Sequence, residues 1–206
     1  MRLQLPTSYG NELARCFYVS EAPSLLVKPL SRSQLAVTRV TSRNGLAALS
    51  ASVRAEKAFT IAVHLIDPDF RRWGTWIDGR FVKVKSRAAG KIGIFDLESD
   101  PRAVRDTAFD CVHYNLPRTT LDAFTEDAEL PKVDTFHCEQ GTGDPAIHHL
   151  TLMLLLHLEA PHAALSRTYR GTVGTAPARW RMQCARSRES RDAGQLDASC
   201  RGKAEL

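Results

Sequence analysis

The chain has 206 residues and a mass of 22.9 kDa, the size of one domain with a terminal extension. Apolar residues make up 43% and charged residues 25%, which is ordinary for a soluble globular protein. The longest apolar run, Leu152 to Leu156, falls far below the ~20 residues that span a bilayer, and the opening MRLQLPTSYGNELARC has no apolar signal core and carries Glu12. The expected setting is therefore cytoplasmic, with no membrane partner.

The formal charge of +5 is unevenly placed. Residues 1–165 balance, with 19 basic and 19 acidic side chains, and residues 166–206 hold 9 basic against 4 acidic ones. A basic chain usually points to nucleic acid or an anionic membrane, but here the excess belongs to the terminal stretch alone. Cys16, Cys111, Cys138, Cys184 and Cys200 are odd in number and form no CxxC pair, so reduced thiols are expected in place of a disulfide framework.

Residues 1–33 read as an arm of mixed character, interrupted by Pro6, Pro23 and Pro29. QLAVTRVTS (34–42) alternates and predicts a half-buried strand. AFTIAVHLI (58–66) sets Phe59, Ile61, Val63 and Leu65 on one face, which turns His64 to the other. In 73–86 the pair Asp78-Gly79 separates two β-prone runs and predicts a hairpin, whose second arm carries Phe81, Val82 and Val84. Strands over 92–97 and 111–116 follow, the latter with Val112, Tyr114 and Leu116 on one face.

Helical spacing begins after Pro117. Thr119 or Thr120 is the expected N-cap, with Leu121 and Phe124 inward and Asp122 in the first turn. Asp144-Pro145 opens a second helix, with Asp144 as cap and Pro145 in its first turn, and Pro161 ends it. Closely spaced strands followed by helices predict an α+β fold, a β-barrel or sandwich followed by two or more helices. Residues 166–206 show no period and few large apolar side chains, which predicts a disordered basic tail.

Catalytic signatures are weak. No GxSxG occurs, and His137-Cys138 are sequence neighbours, a poor geometry for a dyad. GTGDP (141–145) lacks the Lys-Ser/Thr of a phosphate loop and reads as a turn and cap. His148 and His149 point about 100° apart on a helix, so they do not share one ion. His149 and His157 lie about two turns apart, too far for one metal. His64 and His113 lie on separate strands that a barrel would bring close, yet the inward face of 58–66 leaves His64 out. No metal, cofactor or catalytic residue is expected, and the chain is not expected to be an enzyme. Phe70, Arg71, Arg72, Trp73 and Trp76 cluster ahead of the hairpin, a pattern of stacking on nucleic acid, of a pocket rim, or of plain packing.

Several phrases carry a resemblance. QLAVTRVTSR (34–43), FTIAVHLIDPDFRRWGTWIDGRFV (59–82), AAGKIGIFDLESDP (88–101), FDCVHYNLPRTTLDAF (109–124) and GTGDPAIHHL (141–150) occur in order. Together, over about residues 25–165, the chain resembles the N-terminal sensor and dimerisation domain of AraC-family transcriptional regulators. The resemblance implies a cupin-like β-barrel that takes a small effector or dimerises, helices that form the dimer interface, and a separate DNA-reading domain with two helix-turn-helix units. The HxH of metal-dependent cupins is absent. After about Leu165 the text departs from the family, and no helix-turn-helix periodicity follows in 166–206. The expectation is a truncated or frameshifted regulator without specific DNA binding of its own; resequencing the locus tests it, since an intact downstream frame would support it and a confirmed stop with no helix-turn-helix remnant would count against it.

The resulting division is an arm (1–33), an effector-binding and dimerisation domain (34–165) and a tail outside the family (166–206). Effector-pocket candidates are His64, Trp73, Trp76 and His113. Dimer-helix candidates are Leu150, Leu154 and Leu158, spaced by four along one helix face. Expected partners are a small-molecule effector and a second copy. The rival functions are a cupin-type metal-dependent enzyme on His64 and His113, and salt-sensitive, non-specific nucleic-acid binding through the tail.

Overall fold

The computed structural model describes residues 8–28, 33–46, 48–67, 73–83, 88–136 and 138–159. The tail 166–206, Phe70, Arg71, Arg72, Val84, His137, Pro161, His162, Cys184 and Cys200 lie outside them.

The fold is α+β. Its elements are α1 (Ser8–Cys16), β1 (Ser24–Val27), β2 (Leu35–Ser42), β3 (Ala58–His64), β4 (Trp73–Ile77), β5 (Arg80–Val82), β6 (Lys91–Asp96), a 3-10 turn at Leu97–Ser99, β7 (Arg102–Arg105), β8 (Phe109–Pro117), α2 (Arg118–Asp127), β9 (Thr142–Gly143) and α3 (Pro145–Glu159). One antiparallel sheet runs β1-β2-β8-β3-β6-β9, and a smaller one runs β5-β4-β7.

The large sheet is covered on both faces, and this decides where the site lies. On the outer face Leu35, Val37, Phe59, Val63, Ile92, Ile94, Val112, Tyr114 and Leu116 pack beneath Leu121 of α2 and Ile147, Leu154 and Leu158 of α3. The Tyr114 hydroxyl also meets the Thr151 hydroxyl of α3 at 2.8 Å. On the inner face Ala36, Val40, Ala58, Phe109 and Cys111 pack with Tyr9, Leu13, Cys16 and Phe17 from α1 and its C-terminal turn. The small sheet closes on this inner face through Trp73, whose ring lies 5.5 Å from that of His64. The strand over 34–42 is thus buried on both faces rather than half-buried, because a layer covers each side.

The hairpin forms where Asp78-Gly79 places it. Both residues have left-handed φ, 50° and 72°, the pair of positive angles that a two-residue type I′ turn requires. The turn and cap at 141–145 also form: Asp144 Oδ1 accepts from the Ala146 and Ile147 amides at 2.9 and 3.1 Å, a cap contributing ~1 kcal/mol.

Three expectations need correction. The arm 1–33 is not merely irregular, since its α1 supplies buried Tyr9, Leu13 and Cys16 and its β1 pairs with β2. The expected cap of α2 moves to Pro117, which has no side chain to offer. Thr119 and Thr120 sit inside the helix, and the Thr120 hydroxyl instead donates to the Gln34 carbonyl at 2.8 Å, tying α2 to the start of β2. Asp122 accordingly falls after the first turn.

Candidate functional site

The inner face of the large sheet carries polar side chains at alternate positions. Register pairs Ala62 with His113 and His64 with Cys111 across β3 and β8, so Thr60, Ala62 and His64 share a face with Cys111, His113 and Asn115. His64, Thr60, His113 and Asn115 are all buried there. The expectation that His64 turns away from Phe59, Ile61 and Val63 holds, but the face it joins is the interior between the sheets.

A cavity of about 40 Å³ lies in this layer. Its polar wall includes Tyr9, Thr60, Thr75, Arg105 and His113, and its apolar wall includes Leu13, Phe17, Val53 and Phe95. The volume holds a few waters or the head of a small ligand, well below the size of a drug-like pocket.

A hydrogen-bond relay sets the protons at its wall. Glu56 accepts from Asn115 Nδ2, and Asn115 also bonds the Tyr9 hydroxyl. Tyr9 donates to Thr60 Oγ1 at 3.3 Å. The single Thr60 proton is then free for His113 Nδ1, 3.4 Å away. Burial, helped by the nearby Arg105 charge, pushes the His113 pKa down to about 3, so its ring is neutral at pH 7. With Nδ1 accepting, a neutral imidazole carries its proton on Nε2. That Nε2 is buried and has no hydrogen-bond partner among the described residues.

Arg105 stands beside it on β7. It is 4% exposed, and among the described residues no carboxylate reaches it. Its guanidinium lies 5.1–5.2 Å from the ring centres of Phe17, Trp73 and Phe109. Nη1 donates to Cys111 Sγ at 3.1 Å, while Nε is buried without a partner among the described residues. Guanidinium does not deprotonate in proteins, so a full positive charge is held among aromatic faces.

Three of the four pocket candidates come together and one does not. His113 lines the cavity. His64 and Trp73 stand behind Arg105: His64 Nδ1 is 3.2 Å from Cys111 Sγ, and Trp73 Nε1 donates to Thr107 Oγ1 at 3.2 Å. Trp76 points to the opposite side of β4, its ring folded over Gly74 and edge-on to Phe81 at 5.4 Å. Among the dimer-helix candidates, Leu154 and Leu158 are buried in the chain's own core and Leu150 is half-buried. The exposed apolar side chains of α3 are Leu152, Met153 and Leu156.

Sequence reasoning missed Arg105, Thr60 and Tyr9. Tyr9, Leu13 and Phe17 do recur at a spacing of four, a helical stripe. Arg105 gave no such signal. Among the described residues, no three His, Cys, Asp or Glu side chains gather as a metal site, and no helix is long and apolar enough to cross a membrane.

No protein-family model matches the chain. No curated protein matches it either. Among solved structures, it is similar to a Cupin 2 conserved barrel domain protein from Salinispora arenicola CNS-205, with 17% identity, 62% of this chain and 98% of that one covered, and a TM-score of 0.37. A cupin protein from Bacteroides fragilis shares 10% identity over 57% of this chain and 86% of its own, with a TM-score of 0.29. A conserved protein of unknown function from Streptococcus pyogenes shares 15% identity over 47% and 72%, with a TM-score of 0.32.

Proposed function

We propose that the described residues form the ligand-sensing domain of an AraC-type regulator, with the effector held between the two sheets. One observation carries this reading. The inter-sheet cavity is walled by His113 and Arg105, whose buried Nε2 and Nε have no hydrogen-bond partner among the described residues. Buried polar groups are almost always hydrogen-bonded, and a ligand that accepts hydrogen bonds would supply the partner that these two lack. The ordered resemblance over about residues 25–165 supports the regulatory context. In this reading a second copy docks on the exposed face of α3, at Leu152, Met153 and Leu156, since Leu154 and Leu158 are committed to the core.

The test is a thermal-shift survey of the full chain with sugars, amides, amines and carboxylates. A sensing domain gives a saturable rise in Tm with at least one class, because a ligand that binds only the folded state stabilises it by mass action. His113→Phe removes that response. Silence from every class overturns the reading.

A further inference from the structure

The two unpartnered atoms at the cavity are both donors. Arg105 Nε–H is one, and it belongs to a charge with no carboxylate opposite it among the described residues. His113 Nε2–H is the other, in the tautomer in which Thr60 donates to Nδ1. A ligand that only donates leaves both unsatisfied. A water molecule accepts, but brings no charge to the guanidinium. An anionic oxygen does both, and hydrogen bonds from a guanidinium to a carboxylate are among the strong ones.

We infer that the inter-sheet cavity binds a small carboxylate, whose oxygens accept from Arg105 Nε–H and His113 Nε2–H. The inference deepens the ligand-sensing reading and rests on it. Size and lining agree. About 40 Å³ suits a short monocarboxylate better than a sugar ring. Leu13, Phe17, Val53 and Phe95 offer the alkyl end an apolar wall, which an inorganic oxyanion would leave unmatched. Because Phe17 both faces the Arg105 guanidinium and lines the cavity, occupancy is felt directly by the segment that carries α1.

The experiment uses the full chain with acetate, propionate and butyrate. Propionamide is the uncharged counterpart, and chloride and sulfate at equal ionic strength are the anion controls. The expected result is a saturable rise in Tm with propionate and none with propionamide, chloride or sulfate. Arg105→Met, which keeps length but loses every donor, weakens propionate at least tenfold, and His113→Phe does the same. Should either variant fail to fold, the wild-type chain labelled with ¹⁵N-histidine decides: the His113 Nε2 resonance moves with propionate and stays with propionamide. Equal responses to propionate and propionamide, or to propionate and sulfate, overturn the inference. A response to a neutral class with silence to carboxylates overturns the anion assignment and leaves ligand sensing standing. Silence to every class overturns both.

Discussion

His64 and Cys111 face each other across the β3–β8 ladder, with Nδ1 3.2 Å from Sγ, and Arg105 Nη1 reaches the same sulfur at 3.1 Å. The sulfur is thus the nearest thing to a counter-group that Arg105 has among the described residues. A buried charge without a true partner is a burden on stability, and replacing it with an apolar side chain of similar volume is often neutral or stabilising. Arg105→Met is expected to leave the ligand-free protein as stable as the wild type or up to ~1 kcal/mol more so. Urea unfolding measures this. A loss of more than ~2 kcal/mol would mean that the three aromatic contacts outweigh the desolvation of the charge.

His113 sets a pH dependence whose sign follows from its lowered pKa, about 3 against an ordinary 6.5. The unfolded chain takes up a proton between those values that the folded ring refuses. The stability carried by the neutral ring is therefore full above pH 6.5 and falls as the pH drops toward 3, by at most ~1.4 kcal/mol per unit. Urea midpoints at pH 7 and pH 5 are expected to differ less in His113→Phe than in the wild type. Equal differences in the two proteins would place the ring in contact with solvent.

Arg39 binds Asp110 in a fork, Nε to Oδ1 at 3.0 Å and Nη2 to Oδ2 at 2.7 Å, and it also reaches Glu159 at the end of α3. The Asp110 side chain is 13% exposed and that of Glu159 60%. Asp110→Ala is expected to cost ~1–3 kcal/mol, the range for a charge-assisted bond. Glu159→Gln should cost less than ~1 kcal/mol, because water and salt screen the exposed pair. A double-mutant cycle with Arg39→Met checks both values, and a larger coupling at Glu159 than at Asp110 would contradict this ordering.

Neighbouring leucines on α3 should behave oppositely. Leu154 is buried under the outer core, so Leu154→Ala is expected to cost ~2–5 kcal/mol. Leu156 is 67% exposed, and Leu156→Ala should change monomer stability by less than ~0.5 kcal/mol. Light scattering on Leu156→Glu then reads the proposed contact with a second copy: dissociation supports it, and an unchanged mass in solution removes it.

Much of the fold was legible because local chemistry and tertiary structure agree. Asp78-Gly79 needs no distant partner to turn, and Asp144 caps its own helix. Alternation in FTIAVHLI placed Phe59, Ile61 and Val63 together correctly. What alternation could not reveal is that the other face is also buried. Ala58, Thr60, Ala62 and His64 look like a solvent face until α1 and the small sheet cover them. The leucine stripe on α3 misled for a similar reason. Leu154 and Leu158 do share a face, but whether a helix face meets a sheet of its own chain or a second molecule is not a local property. Arg105 was invisible because RAVR carries no period or motif that marks a buried charge. Only the packing of Phe17, Trp73 and Phe109 around its charge marks it out.

The position of β8 bears on how the protein is made. This strand lies between β2 and β3 and pairs with both along its length, yet it follows Ser42 by 67 residues. Contacts so distant along the chain make assembly slow, since loop closure precedes any gain from pairing. During synthesis β2 and β3 emerge well before the strand that joins them, each with an open edge and a face of large apolar side chains. Until Pro117 leaves the ribosome the large sheet has no middle, and a nascent chain paused within that window is the form most prone to aggregation.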